Sequence, residues 1–284
     1  MKRLFWIGLT SLLAGCTATE QTGEQATTKA ADSAAVAGRP AVRDDYDQLR
    51  GVWLNTKFEQ ALEKTKSPRR AAVDVPNVSF FREEGQPVAF VNLDFREGIT
   101  VPLDSLKRVG NELRHGEVTL LLSPDGRELT LQLADQARMK GKASFRRQSR
   151  ADLSSLEAEH DTLMHYINRA VLAGTYADAR GETHVFTTDM AYYRGPATGE
   201  EEREKMRYEL DMNVPVNKCD GVYGSAGVRG APRQYTAFAW RGKTLELYRT
   251  EPDPDNPDGL VREKKPFAKL TRTGPAPKDL NATQ

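Results

Sequence analysis

Two cysteines and four histidines are the side chains here best suited to act as nucleophile, base or metal ligand: Cys16, Cys219, His115, His160, His165 and His184. Cys219 stands in Lys218-Cys219-Asp220-Gly221. A neighbouring lysine can lower a thiol's pKa, but thiol catalysis also needs a base, and no Cys–His signature accompanies this one. A buried, inert thiol is the expectation. His160 and His165 fall five residues apart in a helical segment, about 140° apart around its axis, where a shared metal needs a spacing of four. No cysteine or carboxylate spacing supplies the further ligands of a zinc site. There is no Gly-x-Ser-x-Gly elbow, phosphate loop or dinucleotide fingerprint. Gly221, Gly224, Gly227 and Gly230 recur every three residues without a strand-to-helix transition, so they read as a loop or bulges. No catalytic residue, cofactor or metal site is expected, and the chain reads as non-enzymatic.

Cys16 has a more informative setting. Met1-Lys2-Arg3 leads into the apolar run Leu4 to Leu13, which ends in Leu13-Ala14-Gly15-Cys16. A basic head, a short apolar stretch and small residues at its exit make a secretory signal peptide. The tetrapeptide Leu-Ala-Gly-Cys resembles the lipobox of bacterial lipoproteins. That resemblance implies cleavage before Cys16 and acylation of its thiol and new amino terminus, palmitate being one of the chains. Two or more chains hold a protein stably on a membrane where one does not. Residue 17 is Thr rather than Asp, which in those lipoproteins favours transport to the outer membrane. The implied location is the outer membrane of a Gram-negative bacterium, facing the periplasm.

Composition narrows the partners. The chain carries 41 Lys and Arg against 40 Asp and Glu, and loss of Lys2 and Arg3 with the leader leaves it close to neutral. There is no global basic field to attract nucleic acid. Arg69-Arg70 and Arg146-Arg147 with Arg150 lack interleaved aromatics and read as solvated faces, a contact with lipid phosphate or peptidoglycan being the alternative. With Cys16 committed to lipid, Cys219 has no partner in the chain, so the fold must hold by core packing rather than disulfides. No apolar run after residue 16 is long enough to span a bilayer.

The elements that would position these residues are mainly strands. Thr17 to about Arg39 has no apolar periodicity and reads as a disordered tether; the tail from Pro275 to Gln284 reads similarly. Val91–Phe95, Leu129–Leu133 and Met206–Met212 alternate apolar and polar residues, the pattern of antiparallel strands with one wet face. Pro124-Asp125-Gly126 and Arg241-Gly242 read as hairpin turns. Phe58, Ala61, Leu62 and Thr65 share a helical face that Ser67-Pro68 ends. A longer helix carries Leu153, Leu156, His160, Leu163, Ile167 and Val171 on one stripe and stops near Gly174. Gly199–Glu204 and Glu251–Gly259 read as solvated loops, with an ion or partner site as the alternative.

The long helix separates two segments that open and close alike. Leu49-Arg-Gly51-Val-Trp53 opens the first and Leu172-Ala-Gly174-Thr-Tyr176 the second, while Phe145-Arg-Arg147 and Leu270-Thr-Arg272 close them. The offset of about 120 residues indicates two copies of one all-β unit. Gly-x-Trp in the first strand, about eight short antiparallel strands and an Arg in the last resemble the lipocalin-like, or calycin, β-barrel. In that family the first-strand Trp packs across the closed end of the barrel and the late Arg lies over it. The resemblance implies a pair between Trp53 and Arg146 or Arg147, and a weaker echo in Tyr176 with Arg272. The second and third lipocalin motifs are absent. So is the Cys-x-x-Cys of the copper-responsive envelope-stress lipoproteins that pair a similar barrel with another β domain.

The expected architecture is mainly β, with two tandem lipocalin-like antiparallel barrels joined by an amphipathic helix. Residues 1–15 form the signal peptide, 16–42 the tether, 43–148 the first barrel, 149–173 the connecting helix, 174–273 the second barrel and 274–284 the tail. Phe90, Phe95, Tyr208, Met212, Phe238 and Trp240 are expected to face barrel interiors. Eight-stranded barrels either pack solid or hold one small ligand, and the sequence leaves both open. The leading expectation is a lipid-anchored protein binding a small apolar or amphiphilic ligand in a barrel. The alternative is an envelope structural or protein-interaction module without a ligand cavity. The implied partners are the membrane, through Cys16, and a small ligand or an envelope protein, with no nucleic acid.

Overall fold

The computed structural model describes residues 39–40, 43–93, 95, 97–134, 141–195, 204–212, 216–225 and 234–276. The expected signal peptide, Cys16, most of the expected tether, the acidic segment 199–203, Gly227, Gly230 and residues 277–284 lie outside the described residues. The chain is mainly β, as its alternating pattern requires. No described helix is long and apolar enough to cross a membrane.

The first half makes a ten-stranded antiparallel sheet from β1 (Arg39–Pro40), β2 (Gly51–Asn55), β3 (Asn77–Glu83), β4 (Gln86–Leu93), β5 (Glu97–Pro102), β6 (Lys107–Val109), β7 (Glu112–His115), β8 (Val118–Leu122), β9 (Glu128–Leu133) and β10 (Lys142–Arg147). Their order is β1-β6-β7-β8-β9-β10-β2-β3-β4-β5. Every hairpin neighbour pairs, and β10 returns to pair with β2, the arrangement of a meander rolled up on itself. The roll stops short of closure. The β5–β6 connection passes through a one-turn 3-10 helix, Leu103–Ser105, instead of a tight turn, and β1 adds to the free edge of β6. On its other side β5 pairs only with β4 among the described residues. The first unit is therefore an open curled sheet, not the closed barrel the repeat implied.

The second half does close. β11 (Gly174–Ala177), β12 (Thr183–Phe186), β13 (Ala191–Gly195), β14 (Glu204–Leu210), β15 (Asp220–Ser225), β16 (Gln234–Arg241) and β17 (Thr244–Tyr248) follow one another around an eight-stranded barrel. A hairpin of β18 (Thr250–Asp253) and β19 (Asn256–Arg262) intervenes, and β20 (Ala268–Gly274) then pairs with both β17 and β11. This closed antiparallel barrel is compatible with the lipocalin-like resemblance. Two expected loops are corrected here. Glu251–Gly259 falls in the β18–β19 hairpin, and Gly221 and Gly224 lie within β15. Gly221 is needed because a Cβ there would sit 2.3 Å from the Tyr235 ring.

Among the described residues four α-helices complete the body: α1 (Arg43–Leu49), α2 (Thr56–Thr65), α3 (Pro68–Ala71) and α4 (Leu156–Val171). The α2 cap is Asn55, which accepts from the Lys57 amide at 2.9 Å and donates to the Val75 carbonyl. Ser155 caps α4 through the Ala158 amide, with Glu157 and Glu159 in the first turn complementing the helix dipole. The stripe expected on α4 is rotated near its start. Leu156 and His160 are exposed and Leu153 is buried just before the helix, whereas Glu159, Leu163, Met164, Ile167, Asn168 and Val171 form the buried face.

That face works between the two sheets rather than as a linker. A single apolar cluster joins Val52, Leu54, Phe81 and Val88 of the first sheet, Phe58 and Leu62 of α2, Leu163 and Ile167 of α4, and the barrel residues Tyr176, Phe186, Tyr208 and Leu270. Residues from Gly38 onward form one compact unit. All five residues of β2 are buried because one face meets this cluster while the other, with Trp53, meets the separate core inside the curled sheet. The same two-sided burial corrects Phe90. It lies opposite Ala89 and Val91 and packs at the edge of Phe81, away from the interior of the first sheet. Phe95 stacks on Phe58 at 5.3 Å, and Met212, just past β14, packs partly buried against the shared cluster.

Candidate functional site

The repeated openings and closings meet as a pair of clasps. In the first, Arg147 is registered directly against Trp53 across β10 and β2, with its guanidinium carbon 4.2 Å from the indole centroid. Trp53 Nε1 donates to the Leu49 carbonyl at 2.6 Å, and Arg147 donates to the Gln48 carbonyl. In the second, Arg272 is registered against Tyr176, Tyr176 Oη donates to the Leu172 carbonyl at 2.5 Å, and Arg272 donates to the Ala173 carbonyl at 2.9 Å. Arg147, not Arg146, is thus the Trp53 partner; Arg146 reaches Glu59 instead. Gly51 admits the first clasp, since it has φ of 106° and a Cβ there would lie 1.9 Å from the Ser149 carbonyl oxygen. Both aromatics are fully buried, so the clasps serve the fold rather than a ligand.

Above the second clasp the barrel interior is furnished with aromatic side chains. Cross-strand register puts Tyr176, Phe186, Tyr192, Tyr208, Phe238, Trp240, Leu245 and Leu270 on the inner face. Phe186 contacts three of them, with ring centroids 5.6 Å from Tyr176, 4.9 Å from Tyr192 and 5.5 Å from Tyr208. Tyr176 also meets Trp240 at 6.1 Å. At this end α4 acts as a plug. Asn168, fully buried, donates to the Thr187 and Thr188 carbonyls and accepts from Tyr208 Oη at 2.6 Å. Tyr208, Phe238 and Trp240 therefore face inward as expected, and they occupy the interior.

The opposite mouth is polar. Asp178 and Glu182 flank the β11–β12 turn, and His184 follows on the inner face of β12, in register with both Tyr176 and Arg194. One donor atom from each of Asp178, Glu182 and His184 falls within 4.8 Å of the others. Asp178 Oδ1 accepts the Arg180 and Glu182 amides at 2.8 and 2.9 Å. Glu182 Oε2 accepts from Arg180 and Arg194 at 3.2 and 3.0 Å. These bonds hold both carboxyls below the usual range, the Glu182 amide leading for Asp178 and Arg194 for Glu182. Burial lowers the His184 pKa, outweighing the raising effect of the two carboxylates. Its Nδ1 lies 2.7 Å from Tyr192 Oη. The sequence singles out His184 alone, because nothing local marks Asp178 and Glu182 as its neighbours. Residues 182 and 184, two apart on a strand, share a face, and a turn at Arg180-Gly181 brings Asp178 back beside them.

Three hollows among the described residues lie elsewhere, the smallest, about 120 Å³, lined by Lys66, Arg70, Cys219, Phe238 and Trp240 among others. One of about 410 Å³ runs between α4 and β2, lined by Val52, Leu54, Thr162, His165, Tyr166 and Arg169. Another of about 520 Å³ sits at the end of β5, lined by Glu83, Glu84, Pro87, Pro102 and Asp104 among others. His115 and His160 are exposed on separate elements, and His165 is exposed at the first hollow. Cys219 is buried, with Sγ 3.7 Å from the Leu260 carbonyl, and burial raises its thiol pKa. Lys218 turns away from it to Asp253 and Asp255 at 2.9 and 2.7 Å.

The fold and site together define a mainly β body with one closed eight-stranded barrel and an open curled sheet sharing a core. No protein-family model, curated protein or solved structure matches the chain.

Proposed function

We propose that this chain is a lipid-anchored envelope lipoprotein acting without catalysis as a protein-interaction module, built from two copies of one lipocalin-like plan. Acylation at Cys16, with palmitate among the chains, tethers it to the outer membrane on the periplasmic side. The observation that carries the interaction reading over a lumenal ligand is the occupied barrel interior, where Tyr176, Phe186 and Tyr208 nest beneath the α4 plug. An apolar ligand would have to displace these rings.

The open seam of the first sheet supports the kind of partner. An edge strand carries a row of backbone donors and acceptors that can pair with another chain. Glu97, Gly98, Thr100 and Pro102 of β5 are exposed, and the hollow at its end is lined by Glu83, Glu84 and Asp104. The partner segment is an extended, basic stretch of an envelope protein added alongside β5. A small ligand bound inside the barrel is the second reading, and it rests on the barrel architecture alone.

The test places a photoreactive residue at Thr100 and, as control, at the exposed Thr271 of the closed barrel. In intact cells the first yields a discrete adduct that Glu84→Lys weakens, and the second yields none. Equal adducts from both positions, or none from Thr100, would overturn the proposal.

A further inference from the structure

We propose that Asp178, Glu182 and His184 at the barrel mouth form a binding site for a divalent transition-metal cation of the zinc class. The imidazole supplies the decisive observation. His184 is 6% exposed, and its Nε2 is buried without a hydrogen-bond partner. That atom points toward the acidic pair, 3.9 Å from Asp178 Oδ2, too far for a hydrogen bond. A buried nitrogen left unsatisfied in a native fold needs a reason.

A metal ion would supply one. With the proton on Nδ1, that nitrogen donates to Tyr192 Oη and fixes the ring, leaving the Nε2 lone pair on the side of the carboxylates. Ligating histidines commonly use the second nitrogen in this way. Asp178 is similarly held: the Arg180 and Glu182 amides bind Oδ1, while Oδ2, on the His184 side, accepts from the Arg180 side-chain Nε at 3.1 Å, the bond an ion would replace. Two carboxylates balance a divalent charge, and one imidazole tilts the preference from Mg²⁺ and Ca²⁺ toward zinc and its neighbours. Three protein donors leave a further position for water.

Two arginines compete with the ion, Arg180 at Asp178 and Glu182, and Arg194 at Glu182. The Arg180 side chain is 73% exposed, so its ion pairs are of the weak surface kind and can yield. Arg194 reaches Glu182 Oε2, leaving the other carboxylate oxygen for the ion.

The experiment titrates the full-length chain with Zn²⁺ in competition with a chromophoric chelator. Wild type should show a tight site that Mg²⁺ at the same concentration does not fill. Glu182→Gln and His184→Gln should each weaken it at least tenfold, and Arg180→Ala should tighten it severalfold. Glu182 is partly exposed, so its variant keeps the test decisive if the buried His184→Gln chain does not fold. No zinc binding by wild type would overturn the proposal and leave the cluster as a charge network. So would zinc binding unchanged by Glu182→Gln, or abolished by replacing His115, His160, His165 or Cys219 alone.

Discussion

Arg147 lies 4.2 Å above the indole of Trp53, and across the barrel repeat Arg272 stands in the same register against Tyr176. The correspondence extends to the donor on each ring. Trp53 Nε1 and Tyr176 Oη both reach the carbonyl four residues back, in the segment that leads from a helix into the first strand. Indole and phenol thus play the same part, tying the entry of the strand to the end of the preceding helix, while the late arginine binds a carbonyl of that same entry segment.

Removing either ring should be among the costliest single changes. Trp53→Ala and Tyr176→Ala are each expected to destabilise by about 3–5 kcal/mol, the range for large buried aromatics. Arg147→Ala should cost less, about 0.5–2 kcal/mol, the range of a cation over an aromatic face. A double-mutant cycle in chemical denaturation checks the coupling: Arg147→Ala should cost less when Trp53 is already Ala, the remainder being its bond to the Gln48 carbonyl.

The α4 plug depends on Asn168. Tyr208→Phe leaves Asn168 Oδ1 without its buried donor, at an expected cost of about 1–3 kcal/mol. Asn168→Ala removes the nearer acceptor of Tyr208 Oη, leaving it the Thr187 carbonyl at 3.2 Å, and takes the amide donor from both the Thr187 and Thr188 carbonyls, so its loss should be larger. Thermal unfolding of the two variants gives the order.

Glu159 makes stability fall as pH rises. It is 2% exposed, accepts Asn77 Nδ2 at 2.8 Å and Ser79 Oγ at 2.6 Å, and burial nevertheless raises its pKa above the ordinary glutamate range. The folded state then holds the proton more tightly than the unfolded state. Its contribution is fully present below the unfolded value of about 4.3 and is lost as pH climbs through the raised folded value. Glu159→Gln keeps an oxygen for Asn77 and Ser79 but does not titrate. Its stability relative to wild type should therefore increase from pH 4 to pH 8, as followed by denaturant midpoints at each pH; a constant difference would contradict this.

Cys219 should be slow to label. Its burial and raised pKa leave little accessible thiolate at neutral pH. Alkylation of the native chain is expected to be far slower than in denaturant, and complete modification at equal rates would show that the site opens.

What the sequence made legible follows from where its signals were local. Gly51-Val-Trp53 with Arg147, and Gly174-Thr-Tyr176 with Arg272, could be matched because each pair sits at the ends of a repeat. Alternation exposed strands such as Leu129–Leu133, whose wet face gives a period of two. It misjudged Phe90, because β4 is covered on both faces and period two no longer marks the interior. The α4 stripe drew in His160 and passed over Glu159, since a buried carboxylate is recognisable only once Asn77 and Ser79 are known to face it. Closure was not legible either: the failure of β5 to meet β6 depends on the turn at Leu103–Ser105 and on β1 occupying the edge. The grouping of Asp178, Glu182 and His184 likewise required the β11–β12 register.

The central claim is that the closed barrel is filled by its own side chains and the protein works through its surface. Native mass spectrometry of the protein purified from the membrane fraction tests it most directly. The account predicts a mass equal to the acylated polypeptide, with or without a bound metal ion. A one-to-one amphiphile retained beyond the acyl chains, and lost when Phe186 or Phe238 is changed, would contradict it.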